Sequence, residues 1–147
     1  MIETSPAEIL REYFRSQGHA SLPSEEGAWP CYTTSMADGD DVEDDCVGVF
    51  DMVPEKDGRL MTGLVVLHYG VTIRVRSRDY RTGWAKINQL AGLLDSMTDA
   101  PVSMSSSEAF VIENATRREG VNALGMESGT KRRYLFDTRY VLTLQEQ

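Results

Sequence analysis

From residue 65 to residue 75 every odd position is apolar: Val65, Leu67, Tyr69, Val71, Ile73 and Val75. The even side carries His68, Thr72, Arg74 and Arg76, and Arg78 follows in step. Side chains on a strand alternate between faces, so the pattern predicts a strand over 64–77 with one buried face and three arginines along the other. Beyond Asp79 the period changes. Tyr80, Trp84, Ile87, Ala91, Leu94 and Met97 recur by threes and fours, which predicts a helix over 80–97 capped by Asp79. Gly83 weakens its first turn by about 1 kcal/mol relative to alanine. Burial of Trp84 is expected to outweigh that loss.

The stretch SPAEILREYFRSQG predicts a second helix with both ends marked. Ser5 caps it, Pro6 suits the first helical position, Glu8 completes a capping box and Gly18 supplies a left-handed stop. Ile9, Leu10, Tyr13 and Phe14 form its apolar stripe. Residues 18–30 are rich in Gly, Pro and Ser and form a surface connection, after which Trp29 and Tyr32 rejoin the core. Residues 46–53 predict a short strand, and PEKDGR at 54–59 has the Pro and Asp-Gly content of a hairpin turn. Residues 98–107 are expected to be a loop and 108–117 a strand. Residues 117–131, with Gly120, Gly125 and Gly129, are expected to be a flexible arm. The closing segment RYLFDTRYVLTL is a strand with Tyr134, Phe136, Tyr140, Leu142 and Leu144 on one face, interrupted by Thr138. This order has no alternating strand-helix-strand run. It predicts a single α+β domain over 1–147, an antiparallel or mixed β-sheet with two α-helices packed on one face.

A chain of 147 residues suffices for one core. Its 23 Asp and Glu against 15 Lys and Arg give a net charge of -8, which argues against a protein whose task is to grip nucleic acid. No signal peptide or membrane-length apolar run is present in the sequence, so a soluble product retained in the cytoplasm is expected. Cys31 and Cys46 are then expected to be reduced. Asp38, Asp40, Asp41, Glu43, Asp44 and Asp45 crowd one short segment, within a flexible acidic loop over 34–45. They lack the order of a calcium loop, so repulsion in a solvated loop explains them better. His19 and His68 do not fall at ligand spacing from a cysteine, and no metal or cofactor is expected. Motifs for a nucleophile, a phosphate loop or a dinucleotide are missing from the sequence. His68 reads as a surface histidine with no nucleophile placed beside it by any motif. No catalytic residue is assigned.

One unit of the sequence resembles a known family. The short strand at 46–51, the strand VTIRVRSRDY ending in arginines and Asp-Tyr, the helix WAKINQLAGLLD and the terminal RYLFDTRYVLTL follow one another as in the tail terminator proteins of long-tailed bacteriophages, the lambda-like tail terminator or minor capsid family. The leading helix AEILREYFRSQG also fits, so the likeness covers most of 5–145. It implies a subunit of a hexameric ring that caps the tail tube, ends its polymerisation and joins it to the head connector. The implied partners are further copies of itself, the tail tube protein and the head-tail connector protein. DNA passes through such a ring without specific binding, no membrane is involved, and the protein resides in the virion. The acidic segment and residues 117–131 have no counterpart in the resemblance. A ring-former needs complementary contacts between copies, which suggests Arg74, Arg76 and Arg78 facing Asp40, Asp41, Asp44 and Asp45 of the adjoining subunit. The plainer alternative is that these arginines pair with glutamates within the same sheet or stay hydrated. Two other functions remain open at this point: a head-completion or connector adaptor of the same neck, and a small metal-binding module or enzyme using the acidic loop and His68.

Overall fold

A computed structural model describes residues 3–37, 43–53, 55–59, 65–127 and 132–146. Helix α1 spans Pro6–Ser16. The Ser5 hydroxyl accepts from the Glu8 N–H, the Glu8 carboxylate accepts from the Ser5 N–H, and Gly18 closes the end at φ 78°. Asp51, at the end of a neighbouring strand, accepts from the Ala7 N–H at 2.9 Å and from the Ser5 hydroxyl. A carboxylate placed there meets the unsatisfied amides and positive end of the helix, and it ties helix to sheet. Ile9, Leu10, Tyr13 and Phe14 are buried as the spacing predicts.

The strands are β1 (Cys31–Tyr32), β2 (Cys46–Asp51), β3 (Glu55–Arg59), β4 (Val65–Ser77), β5 (Ala100–Ser103), β6 (Ala109–Met126) and β7 (Tyr134–Glu146). They form one curled sheet in the order β1-β2-β4-β7-β6-β5, with β3 paired to β4 off that path. Every pairing is antiparallel except β1 with β2, so the sheet is mixed. The molecule is therefore α+β, as expected.

Three segments differ from the sequence reading. Residues 55–59, expected to be a turn, are strand β3, because β4 still has free ladder groups at 65–68 for them to pair with. Asp57 and Gly58 mark a register irregularity between Lys56 and Arg59 rather than a reversal. Residues 100–103, expected to be loop, form β5, where Ala100 and Val102 point inward. Pro101 is exposed on this edge strand, where a missing N–H costs little. Residues 117–126, expected to be an irregular arm, continue β6. Its glycines accompany shifts of register: Gly120 falls between Glu119 and Asn122, and Gly125 takes φ 89° beside the shift at Ala123.

Helix α2 spans Tyr80–Asp95, and Asp79 caps it by accepting from the Thr82 N–H at 3.1 Å. Its buried side is Gly83, Lys86, Ile87, Leu90, Ala91 and Leu94. Tyr80 and Trp84, predicted to lie on the buried stripe, are 45% and 42% exposed. The helix is turned so that Gly83 meets the sheet: a Cβ there would stand 2.5 Å from Phe136 Cε2 and 3.2 Å from Ser77 Cβ. The glycine that weakens the first turn is what lets helix and strand approach. Both helices contribute to one core cluster with Val47, Val49, Val71, Ile73, Val75, Phe110, Ile112, Phe136, Tyr140 and Leu142. Among the described residues no helix is long and apolar enough to cross a membrane.

Candidate interaction surface around the arginine row

Alternation along β4 places Thr72, Arg74 and Arg76 on the side away from the core, with β2 and β7 on its flanks. That side is not open. Arg76 is 2% exposed, and its Nη2 donates to the carbonyls of Ala37 at 2.8 Å and Glu43 at 3.3 Å. Its Nε donates to the carbonyl of Asp44 at 3.3 Å. The described parts of the predicted acidic loop thus fold over the guanidinium. The physical reason is mutual need: loop carbonyls without a strand partner require donors when buried, and a guanidinium offers five N–H groups in one plane.

Arg74 lies opposite Asp137 in the β4–β7 register and donates to its carboxylate at 3.2 Å. Its guanidinium carbon stands 6.0 Å from the centre of the Phe50 ring, and its Nε is buried with no hydrogen-bond partner. Arg78 donates to Asp44 at 2.7 Å. Asp44 also lies 3.5 Å from Arg133, which is 1% exposed and bonds Glu127 at 2.8 Å. Asp45 accepts from the Ser77 hydroxyl at 2.6 Å. Of the seven residues predicted for a contact between copies, Arg74, Arg76, Arg78, Asp44 and Asp45 are thus engaged within one chain, through aspartates, loop carbonyls and a hydroxyl rather than through glutamates of the sheet. Asp40 and Asp41 lie outside the described residues. Over the row opens a depression of about 450 Å³ lined by Thr34, Ser35, Met36, Phe50, Leu135 and Glu127 beside Arg74 and Arg76.

The other candidates sit apart from this row. His68 Nδ1 is 3.1 Å from the Thr143 hydroxyl, which in turn lies 3.3 Å from the Asn114 side-chain oxygen, a polar line across β4, β7 and β6. No group of three or more His, Cys, Asp or Glu is placed to hold a metal ion among the described residues. Cys31 and Cys46 are free thiols in the interior, and burial pushes their pKa up to about 12 and about 11.

Two further cations, Lys86 and Arg133, are buried. Lys86 packs under the ring of Trp29, 5.2 Å from its centre, and donates to the carbonyl of His19, fastening the 18–30 connection onto α2. Burial holds its pKa below the usual lysine value. Its position was legible: it lies three residues after Gly83 and four before Leu90, on the inner side of the helix. Arg133 could have been placed by the period-two pattern of β7, which sets it on the same side as Leu135 and Asp137.

The largest exposed apolar side chains among the described residues are Met52, Val53, Tyr80, Trp84, Leu124 and Met126. Tyr80 and Trp84 lie with ring planes 5° apart, and Tyr80 meets the edge of Tyr134 at 5.4 Å. Met126 is the register partner of Tyr134. Compared with known proteins, the chain matches no family model and no curated protein sequence.

Proposed function

We propose that this chain is a structural assembly protein of long-tailed bacteriophages, a tail terminator whose hexameric ring caps the tail tube, stops its growth and joins it to the head connector. The observation that supports the reading best is the order and pairing of the elements that carry the resemblance. A short strand, β2, and the terminal strand, β7, flank β4, and β4 passes through Asp79 directly into α2. In this reading both helices cover the same face of the sheet, and the part of the opposite face that the loop beside Arg76 does not cover is left for neighbours. Arg76 acts inside its own subunit, bracing the loop over the sheet. Arg74 and Arg78, whose side chains keep 36% and 66% of their exposure, are the members of the row accessible from outside the subunit. DNA then passes through a ring of acidic subunits, whose charge of -8 each disfavours adhesion of a polyanion.

Electron microscopy of the purified protein, alone and mixed with tail tubes, tests the reading. Rings seated on tube ends, with tubes no longer extending, are expected. Binding to DNA-filled heads without tubes would instead make the protein a connector adaptor, and indifference to both would remove it from the neck.

A further inference from the structure

The six exposed large apolar residues fall into two groups. Val53, 85% exposed, and Met52 project where β2 leaves its regular ladder, with the Met52 N–H bonded to the Gly70 carbonyl at 2.9 Å. Tyr80, Trp84 and Met126 gather around Tyr134, the register partner of Ser77, and Leu124 lies nearby on β6. Gly70 lies mid-way along β4 and Ser77 at its end, so about 23 Å of strand separates the two groups. Their borders differ in charge. Beside Met52 the Asp51 and Glu8 carboxylates cap α1 around Ser5, and Asp51 stays exposed. Beside Tyr80 and Tyr134 stand the exposed Arg81 and Arg132, while the acids closest by, Asp44 and Glu127, are tied to Arg78 and Arg133 and Asp79 caps α2.

We propose that the two groups are the halves of a single head-to-tail contact between copies of this chain. The Met52–Val53 knuckle of one copy seats on the Tyr80, Trp84, Tyr134 and Met126 surface of the next, with Asp51 towards Arg81 and Arg132. The inference rests on the ring-forming reading and gives it a specific interface. Branched and thioether side chains lose water against aromatic faces, and opposite charges at the rim fix the orientation. Two unlike, separated patches on one body give a head-to-tail contact, which closes into a ring when the rotation between copies closes, whereas a patch that met itself would stop at a dimer.

The test uses Val53→Glu and Trp84→Glu in the full chain, with circular dichroism to establish that each remains folded. Mass measured in solution should show each variant alone as a monomer, with self-association weakened by roughly tenfold or more. An equimolar mixture should give one-to-one dimers and nothing larger, because each such pair retains one intact contact. Arg81→Glu, on the exposed side of α2, replaces Trp84→Glu if the latter unfolds. Assembly of Val53→Glu at the wild-type level, or a mixture of folded variants that stays monomeric, overturns the contact. Rings of wild-type protein that persist in Val53→Glu would sink this interface and leave the ring reading standing. Wild-type protein that stays single at every concentration and on tube ends would sink both.

Discussion

The two sides of β4 are both covered near its Ser77 end, by opposite means. On the inner side Val71, Ile73 and Val75 have no exposed surface and are held by shape and dispersion within the core cluster. On the outer side Arg76 is nearly as inaccessible, yet what holds it is a set of carbonyls that would otherwise have no donor. Alternation in the sequence distinguishes an apolar side from a polar one. Whether the polar side is wet depends on what the rest of the chain lays over it.

Substitutions on the two sides should therefore fail differently. The largest loss is expected on the inner side: Phe136→Ala, which empties space against Gly83, Tyr80 and Trp84, should cost about 3–5 kcal/mol in urea unfolding. On the outer side Arg76→Ala should cost about 1–3 kcal/mol for each of its carbonyl partners that water does not reach. Limited proteolysis should then cut near residues 37–45 while leaving the sheet intact. Equal protection of that segment in wild type and variant would mean that Arg76 does not hold it.

The smallest effect is a slope with pH. The Cys31 thiol, at 9.0 in an ordinary setting, is held at about 12 by burial. Below about pH 9 both folded and unfolded chains keep that proton, and the stability it carries is fully present. Above it the unfolded chain loses the proton first, so stability should fall with rising pH by about 1.4 kcal/mol per unit until the folded value is reached. Lys86, depressed by burial, has the opposite sign up to the ordinary lysine range. Cys31→Ala should flatten the fall between about pH 9 and pH 10, and an unchanged slope would assign it to other groups.

Much of the scaffold was legible because its signals are local. The Ser5 and Glu8 capping box, the Asp79 cap, the Gly18 stop and the alternation of β4 and β7 each depend on residues within one or two turns. The three segments that differ share a cause: a partner strand overrides their turn-forming residues. Asp57-Gly58, Pro101 and Gly120 each sit inside a ladder whose other half lies elsewhere in the chain. Trp84 faces outward for a related reason, since Phe136 on β7 packs against Gly83 and turns that side of α2 to the sheet. The surroundings of Arg76 depend on residues 37, 43 and 44, more than thirty positions away, and no periodicity reports them.

Beyond Ile112, β6 has β7 on one side and no further strand on the other among the described residues. Its pairing slips at four places, between Ile112 and Asn114, Arg117 and Glu119, Glu119 and Asn122, and Ala123 and Gly125. Each slip re-aims the outward amides, so a stranger's backbone finds no even row to zip onto. Crowded to high concentration, such molecules should remain separate bodies that meet through side chains rather than fuse into a continuous fibre.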